Sequence, residues 1–135
     1  MHLKEMKRIA EKEILRYRES AAFVRGWIDG GGQGDPARFR ERARWVWAVE
    51  RVREAIHRRS PEKEVFFSRL YELDRPHGKR SIPASIVKLS MELYTSESTL
   101  YRWRDELLLS VAIAAVQARA LQPCPLVASD GAERV

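Results

Sequence analysis

Apolar side chains recur at helical spacing along almost the whole chain. Between residues 3 and 28 they fall at Leu3, Met6, Ala10, Ile14, Tyr17, Ala21, Val24 and Ile28, with Ile9, Phe23 and Trp27 widening the seam. Steps of three and four predict one long helix close to a heptad register. The glycines at 30, 31, 32 and 34 end it and read as a flexible linker. Asp35 and Pro36 then suit the N-cap and first position of a second helix over residues 36–59. Its apolar face is Phe39, Ala43, Val46, Val49, Val52 and Ile56, flanked by Trp45 and Trp47. Ser60 and Pro61 repeat the same start signal for a short helix carrying Val65, Phe66, Leu70 and Leu73. A basic turn over residues 74–80 follows. Ser81, Ile82 and Pro83 restart a helix that runs through Leu93, and a last helix is predicted from Glu97 to about Leu121 along Leu107, Val111, Ala114 or Ala115, and Ala118. Residues 122–135 contain two early prolines and few apolar side chains, which predicts a disordered tail. No stretch alternates like a strand, and no repeat of helical-solenoid length is visible. The expected fold class is all-α, a helical bundle with a long N-terminal helix and a C-terminal helix-turn-helix.

Residues 89–105 carry that last expectation. Leu89 and Leu93 share one face of one helix; Leu100 and Trp103 share one face of the next. Tyr94 and Thr95 make the turn, and Ser96 is a favourable N-cap, although Thr99 stands where a capping box has Glu or Gln. With the four apolar residues buried between the helices, Glu97, Ser98, Tyr101, Arg102 and Asp105 face outward, as do the major-groove positions of a helix-turn-helix. Lys79 and Arg80 precede the pair, Lys88 lies on its polar side, and Arg102 and Arg104 lie on its second helix. Residues 75–104 hold six basic and two acidic residues, a net of +4. The candidate DNA-binding set is therefore Lys79, Arg80, Lys88, Ser96, Glu97, Ser98, Thr99, Tyr101, Arg102, Arg104 and Asp105. Tyr101 and Arg102 are assigned to bases, and Lys79, Arg80, Lys88 and Arg104 to phosphates.

The run Ser96, Thr99, Leu100, Tyr101, Arg102 resembles the C-terminal helix-turn-helix of phage-encoded transcriptional activators of the RinA/ArpU type, itself similar to promoter-reading region 4 of sigma factors. The resemblance covers roughly residues 60–116 and includes the short helix and basic stretch that precede the motif. Three positions depart from the pattern: Ser90 replaces the usual Ala, Tyr94 the usual turn Gly, and Thr95 an apolar residue. The resemblance implies a regulator that binds double-stranded DNA, works alongside RNA polymerase and activates late genes.

Composition agrees with a polyanionic partner. Of 135 residues 33% are charged, and the net charge is +6. Residues 36–59 contain eight arginines against three acids. Most are expected to pair with Glu11, Glu13 and Glu19 of the first helix, leaving Arg58 and Arg59 for phosphates. The single cysteine, Cys124, excludes an internal disulfide and fits a reducing compartment. The charged N-terminus lacks a secretory core, and the longest apolar run, residues 107–116, is about half a membrane span. A cytoplasmic protein with no membrane partner is expected. His2, His57 and His77 show no metal-ligand spacing, the glycine-rich loop is not a phosphate-binding loop, and no catalytic constellation is readable. No cofactor and no enzymatic activity are expected.

Three regions follow: residues 1–59 for association, 60–121 for DNA binding, and 122–135 as tail. A homodimer through residues 3–28 and 107–118 is a candidate, in which case removing residues 1–28 should leave a folded C-terminal module. The alternatives to a regulator are a phage small terminase-like subunit for DNA recognition and assembly, or a helical interaction protein that binds no DNA.

Overall fold

The computed structural model describes residues 2–76 and 81–121. Among them are six α-helices and no strand, so the chain is all-α. The helices are α1 (Leu3–Leu15), α2 (Tyr17–Asp29), α3 (Pro36–Arg59), α4 (Pro61–Leu70), α5 (Ile82–Glu92) and α6 (Glu97–Gln117).

The single helix expected over residues 3–28 is two. At Arg16 (φ −97°, ψ 7°) the backbone N–H bonds to the Glu13 carbonyl, three residues back, at 3.1 Å. The break has a packing cause. A straight helix of this length would run about 39 Å and overshoot the core. Broken at Arg16, α1 lies along α6 while α2 lies along α3. Arg42, buried on α3, holds the break from beneath: it donates to Glu13 of α1 at 2.7 Å and to the Ser20 hydroxyl of α2 at 3.2 Å. Tyr17 adds a bond to Glu50 at 2.7 Å.

The glycine-rich loop is anchored rather than free. Trp27 stacks on Phe39 with ring centroids 4.9 Å apart, and the loop folds over the indole. Gly32 N–H reaches the Trp27 carbonyl at 2.9 Å. Gly34 sits at φ 116°, where a Cβ would lie 3.2 Å from the Trp27 ring. Asp35 then caps α3 through the Ala37 amide, with Pro36 at its first position, as the sequence indicates. Ser60 caps α4 in the same way through Lys63.

α6 runs through the middle. Its Leu100, Leu107, Leu108, Val111, Ala112, Ala114 and Ala115 are buried against α1, α3, α4 and α5. Its small side chains allow close approach of α3, where Ala48 is fully buried. Met6, Ala10 and Ile14 of the N-terminal seam complete this core. Those three positions are thus filled by the chain itself and are not a surface for a second copy. Leu3 and Ile28, at the seam's ends, stay exposed. In α4 the buried positions are Phe66, Phe67, Ser68 and Leu70, while Val65 is exposed and Leu73 packs from beyond the helix end. Helices from both expected regions, α1 and α3 with α4, α5 and α6, thus share one core.

Three helices end alike, without glycine. Glu72, Tyr94 and Arg119 follow α4, α5 and α6 with φ of 53°, 52° and 63°. In each the next residue's amide bonds five residues back: Leu73 to Ser68, Thr95 to Ser90, and Ala120 to Ala115. These are Schellman endings. The last one stops α6 at Gln117, short of the expected Leu121, and turns Leu121 back into the core.

Candidate nucleic-acid interface

α5 begins at Ser81, whose hydroxyl accepts the Ala84 amide at 3.3 Å. Ile86 and Leu89 are buried, Leu93 half-buried, and Leu100 fully buried opposite them on α6. Trp103 packs on α4 instead, meeting Phe66 edge to face at 5.9 Å with Lys63 over its ring. Of the four apolar residues expected between the two helices, Leu89 and Leu100 are buried, and Leu93 and Trp103 are half-buried. The connection is residues 93–96. Tyr94 takes the left-handed conformation, and Thr95 turns its hydroxyl back to the Leu93 carbonyl at 3.0 Å. Ser96 accepts the Thr99 amide at 3.2 Å and donates its hydroxyl to Thr99 Oγ1 at 2.8 Å. Thr99 therefore shares in the cap although it is not the acid of a capping box. Ser96 and Thr99 are held by the helix start itself.

The first turns of α6 present Glu97, Ser98, Tyr101, Arg102 and Asp105 to solvent. Arg102 has no ion pair or hydrogen bond among the described residues. Lys88 lies 3.7 Å from Glu92, a carboxylate it shares with Arg69. Lys79 and Arg80 lie outside the described residues.

Two assignments change. Arg104, expected on phosphates, is turned inward. Its guanidinium grips Glu11 of α1 through two hydrogen bonds of 2.7 Å, and the Tyr71 hydroxyl donates to the same carboxylate at 2.6 Å. Burial opposes ionisation of Glu11, but the bonds from Arg104 and Tyr71 outweigh it and hold its pKa below the ordinary 4.5. Glu11 in turn raises the pKa of Arg104, and burial next to Glu11 raises that of Tyr71. Asp105 is exposed but is tied to Lys7 of α1 at 3.0 Å. Nothing in local spacing announces contacts between residues more than ninety positions apart.

The same packing supplies cations that the sequence reading missed. Lys4, Lys7 and Arg8 of α1 line a groove whose other wall includes Arg104, Asp105 and Leu108. Lys4 and Arg8 are exposed there, beside the outward face of α6. Their only signal in the sequence is a polar side of the first helix with four basic residues against three acids.

No protein-family model, curated protein sequence or solved structure matches the chain. Among the described residues, no helix is long and apolar enough to cross a membrane, and no cluster of His, Cys, Asp and Glu could hold a metal ion.

Proposed function

We propose that the protein is a DNA-binding transcriptional regulator that reads duplex DNA through the first turns of α6. The observation that carries the reading is the exposed row Ser98, Tyr101, Arg102 on a helix whose buried sides pack against α1, α3, α4 and α5, with Arg102 uncommitted to any partner among the described residues. An Arg at such a position reaches guanine O6 and N7 in the major groove. Arg104 and Asp105 position α6 against α1, and Lys4 and Arg8 join Lys88 as phosphate contacts. The RinA/ArpU resemblance adds action alongside RNA polymerase on late genes.

The test is selection of bound duplexes from a pool of genomic fragments, followed by titration of wild type and Arg102→Ala on a selected and a random fragment. Arg102→Ala should cost about 1–3 kcal/mol on the selected fragment and much less on the random one. Failure to enrich any fragment, with no salt-dependent binding to duplex, would reject the reading.

A further inference from the structure

The eight arginines of α3 do not behave alike. Arg42 is committed to Glu13, Ser20 and Glu41, Arg53 to Glu64 and Asp74, and Arg58 to Glu54. Arg38 lies over the Phe23 ring. Among the described residues, the expectation that most would pair with acids of the first helix holds only for Arg42, through Glu13. Arg40, Arg44, Arg51 and Arg59, like Arg38, have no carboxylate partner among the described residues. Arg44 reaches only the Arg119 carbonyl, at 3.4 Å.

At 3.6 residues per turn, Arg40, Arg44, Trp47 and Arg51 fall within roughly 60° of one another around α3 and about 17 Å along it. All four are exposed, while Trp45, Val46, Ala48, Val49 and Val52 are buried. Trp47 is 43% exposed, and the Arg51 guanidinium lies over its ring at 5.4 Å. Arg44, within the stripe, lies beside the C-terminal end of α6. Arg102 is about 22 Å back along that helix from Gln117.

We propose that this face of α3 is a second nucleic-acid site, and that it takes a single strand: backbone phosphates on Arg40, Arg44 and Arg51, and an unpaired base on Trp47. The three guanidiniums repel one another and are relieved by a polyanion. Trp47 selects among polyanions. A duplex keeps its base faces stacked within itself, whereas a single strand offers one to an exposed indole, and such stacking is tolerant of sequence. The site is independent of duplex reading by α6.

The experiment uses the full chain and a fluorescein-labelled oligothymidylate of about twelve nucleotides, a length within the range of known single-strand sites. Anisotropy is titrated at several salt concentrations, with circular dichroism to confirm that each variant is folded. The combined Arg40→Gln, Arg44→Gln, Arg51→Gln variant should bind at least about tenfold more weakly, with a salt slope lower by about two. Trp47→Ala should weaken binding by about five- to a hundredfold. If Trp47→Ala does not fold, Trp47→Leu takes its place with the same expected loss. Arg102→Ala should bind the oligomer like wild type even where it loses its selected duplex. The proposal is overturned if wild type does not bind the oligomer, or if the arginine variant binds it unchanged. It is also overturned if the tryptophan variant binds like wild type, since the face would then hold phosphates alone. Loss on Arg102→Ala without loss on the α3 variants would place the strand on α6 instead.

Discussion

Tyr94 is 96% exposed and sits at φ 52°, where a Cβ crowds the following carbonyl. That conformation costs a residue other than glycine roughly 1–2 kcal/mol. Glycine removes the strain but loses more backbone freedom on folding, about 0.5–1 kcal/mol. The side chain buries almost nothing, so its removal costs little. The Thr95 to Ser90 hydrogen bond needs only the backbone. Tyr94→Gly should therefore stabilise the protein by about 0.5–1 kcal/mol, a rise in Tm of roughly 2–4 °C for a chain of this size. Tyr94→Val should move the other way, since a β-branched residue suits this conformation least. The assay is thermal unfolding by circular dichroism, with urea unfolding to check that the m-value is unchanged. A lower Tm for Tyr94→Gly would refute the account. It would mean that the phenol supports the fold, or that the backbone there is unstrained.

Arg42→Ala should destabilise by about 3 kcal/mol, because Glu13 and Ser20 lose their shared partner at the α1–α2 break; a change below 1 kcal/mol in urea unfolding would show that the break needs no such support. Glu11→Gln should cost about 1–2 kcal/mol at pH 7. The folded pKa of Glu11 lies below 4.5, so its contribution is complete above that pH and fades as pH falls through the folded value. The Tm gap between wild type and Glu11→Gln should accordingly narrow as pH falls below 4.5, and a gap unchanged through that fall would contradict the ion pair. Removing residues 1–28 strips Met6, Ala10 and Ile14 from the core, and each buried aliphatic side chain of Met or Ile size is worth about 1.5–3 kcal/mol. The remainder should lose cooperative thermal unfolding; a sharp transition in the truncated chain would show a self-sufficient C-terminal module.

Much of this fold was legible because its signals are local. Asp35-Pro36, Ser60-Pro61 and Ser96 each mark a helix start, and each caps through its own side chain. The burial of Leu89 and Leu100 follows from their spacing within each helix. The misses share a cause: they depend on what lies across the core. The break at Arg16 carries neither Gly nor Pro, and its support, Arg42, comes from another helix. The end of α6 relies on Arg119 in a conformation usually given to glycine. At the candidate site, the sequence sends Arg102 to bases and Arg104 to phosphates and leaves both as free cations. Only the arrival of Glu11 separates a free cation from a bound one.

That separation bears on how α6 could work. A base-reading helix must be held in one orientation, because a shift of about an ångström spoils bidentate contacts. The apolar packing of α6 on α1, α3, α4 and α5 is non-directional. The bonds from Glu11 to Arg104 and from Lys7 to Asp105 add directed links to α1, one half-buried and one exposed. Two charged links one position apart in α6 and four apart in α1 resist both rotation and sliding. They also spend charge that would otherwise face a ligand. Arg104 is withdrawn from the surface, and the negative charge of Asp105 is neutralised beside Arg102. The outward face that remains is less basic than the sequence suggests, but its one uncommitted arginine is better oriented. The phosphate contacts such a reader needs must then come from its neighbours, and α1 sets Lys4 and Arg8 beside it.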